Sequence, residues 1–160
     1  MAPRAIVTAP DPVLRGVSAP TETYGGDLAA LARDLLDTMY AAPGRGLAAA
    51  QVGVPLRLFV MDATWKEGRP DPRVFLDPEV VGASEGRVAG EEACLSIPGR
   101  TSWVLRHAQV TLRWRDEGGA AREEEFHGFA ARCIQHEMDH LGGILCTDLD
   151  EPREDGDAAA

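Results

Sequence analysis

The stretch GFAARCIQHEMDHLGG, from Gly128 to Gly143, decides the reading of this chain. Gly128 opens a helix that is expected to run to about Leu141, and Gly142-Gly143 ends it. Inside it, His136-Glu137-Met138-Asp139-His140 has the form H-E-x-x-H. Two histidines four residues apart lie one above the other on a helical face, so their ring nitrogens can reach one metal ion. Glu137 sits one step round, beside that ion, where it can take a proton from a metal-activated water. Phe129, Cys133, His136 and His140 recur at helical spacing, so this face is expected to point inward. Buried imidazoles need partners, and one cation satisfies both.

A catalytic site of this kind needs a third protein ligand and one open position. His107, His127, the acids after the helix, Cys94 and Cys146 are all candidates. Cys146 completes H-E-x-x-H-x-x-G-x-x-C, a pattern similar to that of the metzincins, but no methionine follows Met138 to make their turn. Flanked by Leu145 and Thr147 in a strand-like segment, Cys146 reads as a small buried apolar residue. Cys94 sits in EEACLSIPG and would make a Cys-His-His site. Spacing alone does not choose between the two cysteines.

Working outward, Asp27 is placed to cap a first helix whose Leu28, Leu31, Leu35 and Met39 share a face, and Pro43-Gly44 stop it. The proline-rich opening, Ile6 to Pro20, is expected to be irregular. A glycine-punctuated loop, Gly44 to Gly53, precedes a buried strand at Leu56–Met61 and a short one at Val74–Leu76. Val88 to Ser96 reads as an interrupted strand, and Val110, Leu112 and Trp114 alternate with polar residues as a half-buried one. Glu117-Gly118-Gly119 turns the chain into a polar strand, Arg122–Phe126. Short strands around two helices make the fold class α+β.

The 160 residues, 44% hydrophobic and 26% charged, suit a single domain with a core of its own. We expect that domain to be residues 1–147, followed by an acidic, flexible tail, 148–160, which holds six acids and one arginine. The net charge of −10 argues against binding nucleic acid. No apolar run has the length of a bilayer span or a signal peptide, so a cytoplasmic protein without membrane contact is expected. Three cysteines are too few, and odd in number, for a disulfide framework.

Three separated segments resemble the peptide deformylases. Gly44–Gly53, GRGLAAAQVG, is similar to the family's G-x-G-L-A-A-x-Q motif; Glu92–Ser96, EACLS, to E-G-C-L-S; and Gln135–Leu141, QHEMDHL, to Q-H-E-x-D-H-L. The opening PDPVLR, Pro10–Arg15, has the same look, and the likeness spans about residues 5 to 150. It implies short, mostly antiparallel sheets wrapped around the metal-binding helix, with a further N-terminal helix. It implies hydrolysis of the formyl group from N-formylmethionyl nascent peptides, with transient ribosome contact. Cys94, His136 and His140 would be the ligands of one divalent ion, Fe²⁺ in the family, with Zn²⁺, Ni²⁺ or Co²⁺ able to substitute. Glu137 would be the general base and acid, and the Gln51 amide and Leu95 N–H would stabilise the oxyanion. Arg45, Gly46, Gly90, Glu92 and Phe129 would lie along the substrate, and Glu92 is expected to pair with Arg106. Asp139 is read as a packing residue rather than a ligand. Departures from the family pattern are Ala93 beside the cysteine, Arg45 between the glycines, a small Gly90, and Cys146 where an aromatic is common. Arg45 and Gly90 motivate a different N-acyl peptide as the alternative substrate. A non-catalytic metal-binding homologue is the alternative of another class, against which Glu137 and Gln51 weigh.

Overall fold

The computed structural model describes residues 3–152. Its core is a five-stranded antiparallel sheet in the order β1-β2-β3-β6-β7: β1 Gly46–Ala48, β2 Leu58–Met61, β3 Arg73–Ala83, β6 Gln109–Arg115 and β7 Ala121–His127. Helices α1, Leu28–Ala41, and α2, Gly128–Leu141, cover its two faces. This explains why β2 is the unbroken apolar run LFVM. Leu58 and Val60 pack toward α1 with Leu31, Leu35 and Met39, while Phe59 and Met61 pack toward α2 with Ala131, Cys133 and Ile134. A strand covered on both faces has no polar side to show. Each such fully buried Leu or Phe contributes on the order of 1.5–3 kcal/mol. Phe59, Phe75 and Trp114 fill the α2 side, with ring centroids 4.7 and 4.8 Å apart.

The α1 boundary follows its cap: the Asp27 carboxylate accepts the Ala30 N–H at 3.1 Å. The α2 boundaries are those expected from its glycines. A second sheet is the hairpin of β4, Arg87–Cys94, and β5, Ile97–His107. β5 was not expected as a strand, because Ser102 and Arg106 occupy two of its buried positions and hide the apolar alternation. β3 is longer than expected because it continues past Pro78 through two register shifts. At the first shift Asp77 takes φ 49°. Its carboxylate accepts the Thr21 N–H (2.9 Å) and Thr21 hydroxyl (2.5 Å) and pairs with Arg115. That tie anchors the irregular opening, in which Pro12–Arg15 form one tight helical turn.

The Gly44–Gly53 segment is more ordered than a loop, since it contains β1 and a helical turn at Ala49–Val52. Cys146 is buried as expected, but in a helical turn, Cys146–Leu149, rather than a strand. The acidic segment is not free from Asp148 onward. Asp148 pairs with Arg15, Asp150 accepts the Trp103 N–H at 2.7 Å, and the Glu151 N–H reaches the Trp103 carbonyl at 2.8 Å. The rest of the expected tail, 153–160, lies outside the described residues. Among the described residues no helix is long and apolar enough to cross a membrane.

Candidate metal centre and cleft

Two elements deliver the candidate ligands. α2 presents His136 and His140 one turn apart, and the end of β4 brings in Cys94. The Nε2 atoms of the histidines are 3.3 Å apart, and Cys94 Sγ is 3.4 Å from His140 Nε2. All three residues are buried. His136 Nδ1 lies 3.0 Å from Glu92 Oε1, so the proton belongs on Nδ1 and the Nε2 lone pair faces Cys94 and His140.

These atoms fit a cation. Two ring nitrogens and a sulfur converge with electron pairs facing one another, which repel unless something positive lies between them. Burial alone would lower the basicity of His136, yet Cys94 and Glu92 hold it well above the usual histidine range. Burial and then His136 hold His140 down, at about 3. Borderline-soft divalent ions take this donor set of one thiolate and two imidazoles.

Glu92, His136 and Cys146 form a second group of suitable spacing. There, however, the Glu92 carboxylate is already filled. It receives Arg106 Nε and Nη2 at 2.9 Å each, Arg132 Nη1 at 2.7 Å, and the His136 ring. Arg106 also reaches Asp139 at 2.6 Å, so Asp139 steadies the arginine rather than facing the ligands. This cationic surrounding outweighs burial and holds the Glu92 carboxyl far below the usual range. Glu92 is thereby a fixed anion that orients the His136 ring. Cys146 is left as an apolar thiol, which burial pushes up.

Glu137 points into the same space. Burial, the largest influence, raises its carboxyl to about 7, and Oε1 is buried without a hydrogen-bond partner. A carboxyl poised near neutrality suits proton transfer. Its other oxygen faces β1 closely: a Cβ on Gly46 would stand 2.7 Å from Oε2. Gln51 spans the site. Its Oε1 accepts the Ala48 N–H at 2.9 Å, and its Nε2 donates to Ser96 Oγ at 3.0 Å and faces Cys94 Sγ at 3.7 Å. The amide therefore both caps the turn after β1 and directs a donor at the centre.

A cleft of about 580 Å³ opens onto these groups. Arg45, Gly46, Glu92, Leu95 and Phe129 all line it. Two placements differ from expectation. Phe129 does not point inward; it is 49% exposed, at the rim, with the Arg45 guanidinium 5.2 Å above its ring. Arg45 is itself held by Glu67 and the Ala63 carbonyl. Gly90 does not line the cleft, because the Arg132 guanidinium lies over it. His107 bonds the Ser84 carbonyl instead of approaching the cluster, and His127 faces the exposed Glu125. Arg132 and Ser96 were missed. The signal for Arg132 was present, since it sits four residues before His136 on the same helical face.

The chain resembles known proteins over most of its length. The family model described as polypeptide deformylase matches residues 3–155. The peptide deformylase of Afipia carboxidovorans is 51% identical over 148 residues, covering 92% of this chain and 86% of that protein. The crystal structure of the Thermotoga maritima peptide deformylase superposes with a TM-score of 0.87 at 35% identity, covering 94% of this chain and 99% of that one. That of the Synechococcus elongatus enzyme in complex with actinonin gives 0.89 at 37% identity, covering 94% and 82%.

Proposed function

The chain belongs to the polypeptide deformylase family, and from that premise we propose how its own residues remove the formyl group from N-formylmethionyl peptides. The reaction is hydrolysis of a linear amide: the formyl C–N bond breaks, water adds its oxygen to the formyl carbon, and formate and a free amine leave. The observation that carries the reading is the convergence of Cys94 Sγ, His136 Nε2 and His140 Nε2 beside the unpartnered Oε1 of Glu137.

Cys94, His136 and His140 would hold the divalent ion on which the family depends, and we assign Fe²⁺, with Zn²⁺, Ni²⁺ or Co²⁺ as substitutes. Such an ion supplies Lewis acidity, making water acidic near neutral pH and polarising a carbonyl. Glu137 takes the proton of the attacking water on Oε1 and delivers it to the departing amine nitrogen. Its burial keeps bulk water from competing for that proton. Gln51 Nε2 and the Leu95 N–H donate to the formyl oxygen as it gains charge; one such donor is typically worth about 3 kcal/mol. Glu92 holds the His136 ring, and Arg106 holds Glu92. β1, at the edge of its sheet, would offer the backbone at Gly46 to the substrate as an added strand, and the missing side chain leaves room for Glu137 and Cys133. Substrates of this kind arise at the ribosome, which supports a cytoplasmic location and transient contact with ribosomes.

The test is amine release from N-formyl-Met-Ala-Ser by protein loaded anaerobically with Fe²⁺ or with Ni²⁺. Turnover that disappears in Glu137→Ala is expected. No turnover from protein that retains one ion per chain would overturn the assignment.

A further inference from the structure

Arg132 crosses from α2 to the hairpin of β4 and β5 at the wall of the cleft. It leaves α2 one turn before His136, on the face that carries the ligands. Its guanidinium then reaches the hairpin, donating to Glu92 and the Val88 carbonyl on β4 (2.7 and 2.6 Å) and to the Val104 carbonyl on β5 (3.0 Å). The bridge exists because β4 has no side chain there. A Cβ on Gly90 would stand 2.9 Å from the guanidinium carbon and 3.0 Å from Nη2, closer than side chains pack. Gly90 and Glu92 are two apart on one strand and so share its inner face. An arginine from the helix thus occupies the place where the strand would otherwise put a side chain, and it lines the cleft there.

We infer that Arg132 is a specificity-determining residue: seated in the room left by Gly90, its guanidinium closes the cleft between α2 and β4 and sets the length of the side chain accepted next to the formyl group. The inference rests on the deformylase reading for the identity of the substrate, but the wall itself can be measured without turnover. Four residues of helix place Arg132 about 6 Å along α2 from His136. That is the scale of an unbranched side chain such as methionine's. The three hydrogen bonds hold the wall in place, so its position is fixed rather than adaptable.

The experiment compares formyl-Met-Ala-Ser with the same peptide carrying a longer 2-aminooctanoyl or a shorter norvaline first residue. kcat/KM is measured in the metal-loaded enzyme, and Kd by calorimetry in a Glu137→Gln background. Loss of Arg132 also removes one donor from Glu92, a change common to every peptide, so the ratio between peptides is the readout. In Arg132→Ala the longer peptide should gain about tenfold over the methionine peptide, the scale of a methylene or two in an apolar pocket. In Gly90→Ala the new methyl meets the guanidinium and pushes it toward the cleft that it lines, and the shorter peptide should gain. Either shift in the stated direction, in kcat/KM or in Kd, supports the inference. Ratios unchanged within twofold in both variants, or no binding of any of the three peptides, overturn it. An enzyme that turns over nothing yet shows the Kd shift would refute the catalytic assignment and leave the wall standing.

Discussion

Replacing Gly46 with alanine adds one methyl group at the point where β1 meets α2, and the structure fixes what that methyl would meet. It would lie 2.7 Å from both Cys133 Sγ and Glu137 Oε2, and 3.3 Å from the Glu137 carboxyl carbon. Ordinary contact begins near 3.4 Å, so the carboxylate must retreat by roughly 0.7 Å or β1 must lift. β1 is held to β2 along its length, which leaves the Glu137 side chain as the softer partner. Misplacing a reacting group by about 1 Å can cost 10²-fold in rate. Overpacking of this kind typically costs about 1–3 kcal/mol of stability, or roughly 2–4 °C in Tm for each kcal/mol at this chain length. Gly46→Ala should therefore fold, hold its ion, and lose about 10²-fold in kcat on N-formyl-Met-Ala-Ser. Adding Cys133→Ala removes one of the two clashes, so the double variant should recover Tm while kcat stays low. The assay is steady-state kinetics with metal content and thermal melting measured on the same preparations. A Gly46→Ala enzyme within threefold of the parent would refute the reasoning, because Glu137 would then tolerate displacement.

Two further outcomes follow from single contacts. Cys94→Ser should lose its ion to dialysis against a chelator, whereas Cys146→Ser should retain one ion per chain by elemental analysis; the reverse would move the third ligand to the helical turn after α2. Asp77→Asn tests the tie between β3 and the N-terminal segment. Burial raises the Asp77 carboxyl, but Thr21 and Arg115 outweigh it and hold it below the usual range. A carboxyl depressed in the fold contributes stability that is present above its unfolded value, near pH 3.9, and is lost as pH falls through the folded one. Urea unfolding should show the variant weaker by about 1–2 kcal/mol at pH 7, with the gap narrowing below about pH 4. A gap that is constant with pH would show that the charge of Asp77 is not what matters.

The parts of this protein legible in its sequence are those governed by short-range rules. Asp27 and Gly128 mark helix starts through local capping and turn chemistry, and the 3.6-residue period placed His136 and His140 together on one face. The β2 run is a local pattern too, although its burial on both faces depends on helices far away in sequence. What escaped were features made by distant segments. β5 buries Arg106 because partners arrive from elsewhere, Glu92 and Asp139, so its pattern cannot be read from its own residues. Phe129 continues the ligand face arithmetically, yet α2 is covered only from about Ala131 onward, and its first turn opens into the cleft. Spacing alone left Cys94 and Cys146 open as well, and the EACLS motif favoured Cys94. Both are buried near His136, and helix geometry treats them alike. Glu92 bears on the choice, since its oxygens are filled by Arg106, Arg132 and the His136 ring. With Glu92 committed to orienting His136, the Nε2 side of that ring is the side left to bind, and Cys94 is the cysteine that meets it together with His140. The two arginines beyond the motif thus hold Glu92 in place beside the His136 ring.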